Sequence, residues 1–190
     1  EASGRQLLAL INDILDISQM EQGAPILSPE RMSITACVRE CAAPFEIQAR
    51  DQGKEMSVEV DVADDWVMGD PVRLGQVINN LLSNALKYTR PGDSIRLSLE
   101  QGRAGDVGSY RITVADTGIG MAPEYLDHLF EVYSREQRFG TVRTTGTGLG
   151  MPITKNLVGQ MGGDIRVESE VDHGTTFVVT LPFAVARDDT

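Results

Sequence analysis

Helical and strand-like stretches follow one another in this chain without the regular alternation that builds a parallel doubly wound sheet. Apolar residues recur at helical spacing over 33–52, from Asp70 onward and from Met151 to about 161. Strands are predicted at 55–62, 94–100, 110–116, 164–170 and 175–182. This order predicts an α+β fold, a two-layer sandwich in which helices cover one face of a mixed β-sheet.

The N-terminal stretch 5–20 carries a broad apolar stripe at helical spacing that includes Leu7, Ile11 and Leu15. So short a helix cannot bury such a stripe alone, which predicts a truncated member of a helical bundle or coiled coil. Gly and Pro residues then interrupt the pattern over 23–30, where we expect a linker to the main domain.

Composition narrows the class of protein. The 190 residues are 41% apolar, enough for one main core, and contain neither a membrane-spanning run nor a signal peptide pattern, so we expect the chain to be soluble. A net charge of −11 argues against nucleic acid as a partner. Cys37 and Cys41 share one helix face without a zinc-type framework, and the simplest interpretation is a pair of small apolar residues.

Asp70 and Pro71 open the helix that contains the sequence NNLLSNALKY. Asn80, Asn84 and Lys87 recur on one face of it, while leucines face the core. An amide oxygen can ligate Mg²⁺ and a lysine can offset phosphate charge, although a solvated helix face explains the same residues.

The sequence DTGIGM begins at Asp116, directly after a predicted strand. A carboxylate there can accept a hydrogen bond from an exocyclic amine such as that of adenine, and glycines let the backbone approach a flat ring. Asp-Thr-Gly is also the triplet of aspartic proteases, but those enzymes need a second copy that this chain lacks.

The sequence GTGLGMP, from Gly146 to Pro152, opens a helix and exposes backbone amides at its positive end, which predicts an anion cradle. It fits neither a dinucleotide-binding turn nor a P-loop. The surrounding stretch 134–155 carries Arg135, Arg138, Arg143 and Lys155 against one acidic residue, a local exception in an acidic chain.

Five motifs in this order, NNLLSNALKY, DTGIGM, LFEVYSRE, GTGLGM and HGTTF, resemble the N, G1, F, G2 and G3 boxes of histidine-kinase catalytic domains in the GHKL superfamily. The N-terminal RQLLALINDILDIS is similar to the second helix of the dimerisation and phosphotransfer domain of these kinases. The resemblance implies a Bergerat-type ATP-binding fold preceded by one helix. It divides the chain into that helix at 1–22, a linker at 23–30, the ATP-binding catalytic domain at 31–184 and a tail at 185–190.

Residue roles around the phosphates follow from the resemblance. Asn80 is implied to ligate Mg²⁺, and Asn84 and Lys87 to hold the phosphates of ATP. Lys87 and Arg135 are the implied catalytic residues, since Arg135 approaches the γ-phosphate.

The resemblance also implies the residues around the base. Tyr88 lines the nucleotide pocket, and Asp116 receives the adenine amine with the support of Thr175. Gly118 and Gly120 give room for the base.

A mobile lid over the triphosphate is the third implication. Its hinge is formed by Gly146, Gly148 and Gly150, with Leu149 among the nucleotide-binding residues. Val132 and Tyr133 in the F box and Pro152 after the lid depart from the residues common in the family, which bears on the geometry of the lid.

The chain has no H box, because His128 and His173 both lie far from the N-terminal helix and are interpreted as structural or surface residues. A protein histidine kinase catalytic domain is therefore expected, one that cannot autophosphorylate by itself. Its implied partners are the phosphoacceptor histidine domain of the parent kinase and a response regulator receiver domain. The parent is expected to be a homodimer that works in the cytoplasm, with or without a membrane anchor.

Three alternatives remain at this level: a GHKL-type ATPase, an anti-sigma serine kinase, and an interaction module that binds no nucleotide. Related ATPases carry a Glu that activates water where this chain has Gln76, and an amide cannot act as a general base. Retention of Asn80, Lys87 and Asp116 argues against the nucleotide-free module.

Overall fold

The computed structural model describes residues 27–102, 107–131 and 148–186, together with Leu8, Ile11, Asn12, 14–16 and Ser18 near the N-terminus, all of which are helical. The helices of the main domain are α1 (Ile34–Asp51), α2 (Pro71–Tyr88), α3 (Pro123–Leu126) and α4 (Gly150–Gln160). The strands are β1 (Glu30–Ser33), β2 (Glu55–Asp61), β3 (Trp66–Gly69), β4 (Ser94–Gly102), β5 (Val107–Asp116), β6 (Asp164–Glu170) and β7 (Gly174–Val185).

The seven strands form one mixed sheet. Its order is β1-β3-β7-β5-β4-β2, with β6 also paired to β7, and β2 and β4 are parallel whereas the other pairs are antiparallel. Helices pack on this sheet, and the buried residues of β7, such as Phe177 and Val179, alternate with less buried ones. The predicted α+β fold with a mixed sheet is confirmed.

Two local features set the ends of α2, the helix with most of the predicted site residues. At its start the Asp70 carboxylate accepts hydrogen bonds from the backbone amides of Arg73 at 3.0 Å and Ser28 at 2.8 Å. At its end the buried Lys54 ammonium donates to the Leu86 carbonyl at 2.6 Å, which satisfies a carbonyl at the negative end of the helix. Leu74, Val77 and Leu81 on its inner face are fully buried.

The sequence patterns did not predict two of the strands. β1 and β3 have four residues each, too few to show a clear alternation of apolar and polar residues. They pair with each other at one edge of the sheet. β1 includes Glu30, the last residue of the predicted linker. Helix α3 is only one turn long, Pro123–Leu126. Within the described residues, no helix is both long and apolar enough to cross a bilayer.

Candidate functional site

Asn80 lies near the middle of α2 and faces the first turn of α4. Its amide nitrogen donates to the Gly150 carbonyl at 3.3 Å and to the Thr154 hydroxyl at 3.1 Å, and the Thr154 hydroxyl in turn donates to the Gly150 carbonyl at 2.7 Å. The Asn80 side-chain oxygen accepts no hydrogen bond from other described residues. This network holds the amide in one orientation and leaves its oxygen available to a ligand.

The start of α4 has the features of an anion cradle. Gly148 has a φ of 71°, Leu149 is fully buried, and α4 begins at Gly150 without a side-chain cap and without an acidic residue in its first turn. The backbone amides of this turn therefore carry the partial positive charge of a helix start with no carboxylate of that turn competing for it.

Tyr88 is the last residue of α2, and it contacts the loop that follows β5. The Ile119 amide donates to the Tyr88 carbonyl at 3.1 Å, and a Cβ at the buried Gly118 would lie 2.2 Å from that same oxygen. Glycine is thus required at 118 by close backbone contact. The Lys87 ammonium lies 5.1 Å from the centre of the Tyr88 ring.

Asp116 ends β5 beside this loop. Its carboxylate accepts a hydrogen bond from the Gly118 amide at 2.9 Å and another from the Thr175 backbone. Burial raises the pKa of the Asp116 carboxyl to about 6, against the opposing effect of these two hydrogen bonds. A half-buried carboxylate that backbone donors hold in place is suited to accept a hydrogen bond from a ligand.

Ser169, on β6, is a site residue that the sequence did not reveal. Its hydroxyl accepts from the Met121 amide at 2.8 Å, donates to the Gly174 carbonyl at 3.0 Å and lies 2.8 Å from the Thr175 hydroxyl. It therefore ties the loop after Asp116 to the start of β7. A serine in an alternating strand carries no signal of this role in a single sequence.

The turn between β6 and β7 also fixes this loop. The Asp172 amide donates to the Ile119 carbonyl at 2.8 Å, and a Cβ at Gly120 would lie 1.8 Å from the Glu170 carbonyl oxygen. Gly118 and Gly120 are therefore both explained by backbone packing, and their predicted role beside a base stays a prediction.

A polar network joins the N-terminal helical residues to α2. The Arg73 guanidinium donates to Asp16 at 3.0 Å and to the Gln76 amide oxygen at 2.9 Å, while the Gln76 nitrogen donates to Asp16 at 2.7 Å. Both amide atoms of Gln76 are thus engaged. A cleft of about 660 Å³ beside this network is bordered by Asp16 and Gln76 and extends to Asn80.

The structure brings the predicted residues into two groups along α2. Asn80 contacts Gly150, which directly follows Gly148 and Leu149 in the chain, and Asn84 lies half-buried one turn further on the same helix. Tyr88 joins a second group around the end of β5, which contains Asp116, Gly118, Gly120 and Thr175.

Several predicted residues lie outside the part of the chain that the structure describes. These are Arg135 and Gly146, together with Val132, Tyr133, Arg138 and Arg143. Of the predicted basic stretch, Lys155 is described, and its ammonium lies 4.9 Å from the centre of the Phe130 ring. Both histidines are exposed, with His128 2.9 Å from Glu131.

The sequence of this chain is similar to those of known proteins. The model of the family described as histidine kinase-, DNA gyrase B-, and HSP90-like ATPase matches residues 69–185. The autoinducer 2 sensor kinase/phosphatase LuxQ of Vibrio parahaemolyticus is 39% identical over 183 residues, which cover 95% of this chain and 21% of LuxQ. The signal transduction histidine-protein kinase BarA of Escherichia coli is 36% identical over 93% of this chain and 19% of BarA. The chain thus spans about a fifth of the length of these relatives.

Solved structures match as well. The crystal structure of full-length ShkA in complex with AMPPNP has a TM-score of 0.82 at 31% identity and covers 97% of this chain and 37% of ShkA. The mycobacterial sensor histidine kinase MprB has a TM-score of 0.68 at 26% identity and covers 84% of this chain and 100% of that structure.

Proposed function

Because the chain belongs to the histidine kinase-, DNA gyrase B- and HSP90-like ATPase family, as a catalytic domain of the sensor histidine kinase type, we propose that it phosphorylates a histidine. In this proposal it binds Mg-ATP and positions the γ-phosphate for transfer to a histidine of a dimerisation domain, in two-component signal transduction.

The observation that carries the proposal is the placement of the two residue groups on α2. Asn80 and Tyr88 are eight positions apart, which corresponds to about 12 Å along a helix. An adenine held at Asp116 beside Tyr88 leaves an extended triphosphate pointing toward Asn80 and the amides at the start of α4. One elongated ligand can therefore satisfy a hydrogen-bond acceptor at one end and an anion cradle at the other.

The residues at Asn80 fit a magnesium ion that arrives with the nucleotide. Among the described residues no group of three or more His, Cys, Asp or Glu side chains could hold a metal, whereas the Asn80 oxygen is oriented and available. Mg²⁺ commonly takes one or two protein oxygens and completes its shell with phosphates and water. When bound, the ion would neutralise charge on the phosphate oxygens.

The chain's own residues supply positioning and charge compensation in this proposal. Asp116 fixes the base, Asn84 and Lys87 hold the phosphates, and the amides at Gly150 receive anionic oxygens. Arg135, which lies outside the described residues, is proposed to approach the γ-phosphate. Such a site lowers the barrier mainly by orienting the γ-phosphate in line with an incoming imidazole.

The side chain of Gln76 favours transfer of the phosphate to a protein acceptor over hydrolysis of ATP. An amide cannot accept the proton of an attacking water, and both polar atoms of this side chain already bond to Asp16 and Arg73. We expect ATP hydrolysis by the intact chain to be negligible beside that of a dedicated ATPase of the family.

The wider setting is proposed from the relatives. LuxQ and BarA are named as sensor and signal transduction kinases, which supports a phosphoacceptor histidine domain and a receiver domain as partners, in a homodimeric parent. The free thiols of Cys37 and Cys41 and the use of ATP fit a cytoplasmic site of action, with or without a membrane anchor in the parent.

Reconstitution in trans tests the proposal. The intact chain is mixed with γ-labelled ATP, Mg²⁺ and a separately produced dimerisation fragment of a sensor histidine kinase that carries a phosphoacceptor histidine, and acid-labile label on the fragment is measured. We expect label with the wild type and with the exposed surface variant Asp61→Asn, and its loss with Asn80→Ala. Binding of Mg-ATP is measured in parallel by calorimetry, and no detectable binding by the folded chain would favour the nucleotide-free module.

A further inference from the structure

Cys37 and Cys41 form a dithiol on the outer part of α1. They stand one helical turn apart, both are free and partly exposed, and the Cys37 thiol donates a hydrogen bond to the Pro71 carbonyl at 3.8 Å. The proximity of the two thiols lowers the pKa of the Cys41 thiol, against the opposing effects of burial and Glu40, and it raises the pKa of the Cys37 thiol together with burial. Both side chains pack against the edge of the hydrophobic core, as the sequence interpretation expected, and both border one cavity.

The dithiol borders a cavity between α1 and the start of α2, with a volume of about 410 Å³. Glu30 and Glu40 also line this cavity, and none of the described residues that line it is basic. A small cation can thus reach the sulfurs through a pocket of favourable charge.

Helix geometry decides what can bridge the two sulfurs. Residues four apart on a helix have Cβ atoms about 5–6 Å apart, whereas a disulfide requires about 3.5–4.5 Å. Direct S–S bonding would therefore distort the helix. A metal ion with sulfur bonds of about 2.3 Å, the length of a zinc–thiolate bond, adds the missing span.

We propose that Cys37 and Cys41 form a two-thiolate binding site for a soft monovalent cation, namely Cu(I). Among the described residues no third His, Cys, Asp or Glu completes a metal-binding group here, which disfavours Zn²⁺ because structural zinc sites take four ligands. Thiolates are soft ligands that suit Cu(I), and a site with only two of them lacks the four ligands of a structural zinc site. Binding involves no change of oxidation state: two S–H bonds break, two Cu–S bonds form and two protons are released.

The α1 backbone can adjust to such a ligand. Pro44 lies inside α1 and has no amide hydrogen to give to the Glu40 carbonyl, so the turn that carries Cys41 lacks one helical hydrogen bond. The site also touches α2, since the Cys37 thiol donates to the Pro71 carbonyl and a Cβ at Gly75 would lie 3.4 Å from the Cys41 sulfur. Cu(I) at this site would therefore contact the helix that carries Asn80.

Anaerobic titration of the intact, fully reduced chain with Cu(I), in competition with a chromophoric Cu(I) chelator, tests this inference. We expect one equivalent to bind, with ultraviolet absorption from thiolate-to-copper charge transfer and release of two protons. Cys37→Ser and Cys41→Ser should each weaken binding by more than about 100-fold, because even residues that only orient a ligand change metal affinity by about 10–100-fold. Asn79→Ala, which alters the same cavity without a thiol, should leave the affinity unchanged.

Three outcomes would overturn the site. One is retention of Cu(I) by either serine variant, and another is a stoichiometry below one in the wild type. The third is preferential binding of Zn²⁺ over Cu(I) under matched conditions. Circular dichroism and Mg-ATP calorimetry on each serine variant verify that a loss of copper binding does not come from a loss of fold.

Discussion

Asp116 and Thr175 occupy paired positions on β5 and β7, and the Thr175 backbone donates a hydrogen bond to the Asp116 carboxylate. The Thr175 hydroxyl lies 2.8 Å from that of Ser169, which continues the network to the Met121 amide. The proposed adenine acceptor is therefore held by three strands and the loop that follows it, and its position depends on the whole sheet.

Asp116→Asn should abolish detectable Mg-ATP binding while the chain stays folded. The amide places a donor or a misaligned acceptor where the carboxylate faces the adenine amine, and the Thr175 amide loses an anionic partner. Calorimetry with Mg-ATP measures the effect, and circular dichroism verifies the fold. Asp61→Asn removes the same charge from an exposed position of β2 and should keep wild-type affinity, so unchanged affinity in Asp116→Asn would refute the assigned contact.

The same variant should change how the stability of the nucleotide-free chain depends on pH. Burial raises the pKa of Asp116 from 3.8 to about 6, so its folded state prefers the protonated form. The stability that the folded state gains from holding a proton on Asp116 is fully present below pH 3.8, and it is lost as the pH rises through about 6. Between pH 4 and 7 we expect the wild type to lose about 1–3 kcal/mol of unfolding free energy relative to Asp116→Asn. Urea denaturation at several pH values measures this difference, and parallel curves for the two proteins would contradict it.

Ser169→Ala should destabilise the domain by about 1–3 kcal/mol and weaken ATP binding. The change removes the acceptor of the Met121 amide and the donor to the Gly174 carbonyl, and it leaves both groups part-buried. Urea denaturation and calorimetry measure the two effects. Ser57→Ala, at an exposed position of β2, is the matched control, and an equal effect in both variants would show that the Ser169 network is dispensable.

Asp16 and Arg73 should be energetically coupled. Their ion pair is 3.0 Å long, and the two side chains are only 12% and 21% exposed. A double-mutant cycle with Asp16→Ala and Arg73→Ala should give about 1–3 kcal/mol of coupling in the unfolding free energy. Additive effects of the two substitutions would show that the N-terminal helix does not rest on α2 in solution.

The main effect of Gln76→Glu should be to detach the N-terminal helix from α2, not to create ATPase activity. The substitution replaces a nitrogen that donates to Asp16 at 2.7 Å with a carboxylate oxygen, so two negative charges repel each other. We expect faster proteolysis of the N-terminal stretch than in wild type. Gln48→Glu adds the same charge on the exposed surface of α1 and should leave proteolysis unchanged, whereas equal protection of all three proteins would contradict the repulsion.

The sequence determined the mixed α+β architecture and the start of α2, because long amphipathic stretches and a capped start at Asp70 are local signals. It also determined the family, since five ordered motifs carry that information in residue identity alone. Strands β1 and β3 were missed because four residues hold too little periodicity. Tertiary structure alone decided that Ser169 supports Asp116, that Asp16 and Arg73 engage Gln76, and that Cys37 and Cys41 border a cavity. These relationships join residues distant in sequence or depend on neighbouring elements, and such contacts arise only when the sheet and helices pack together.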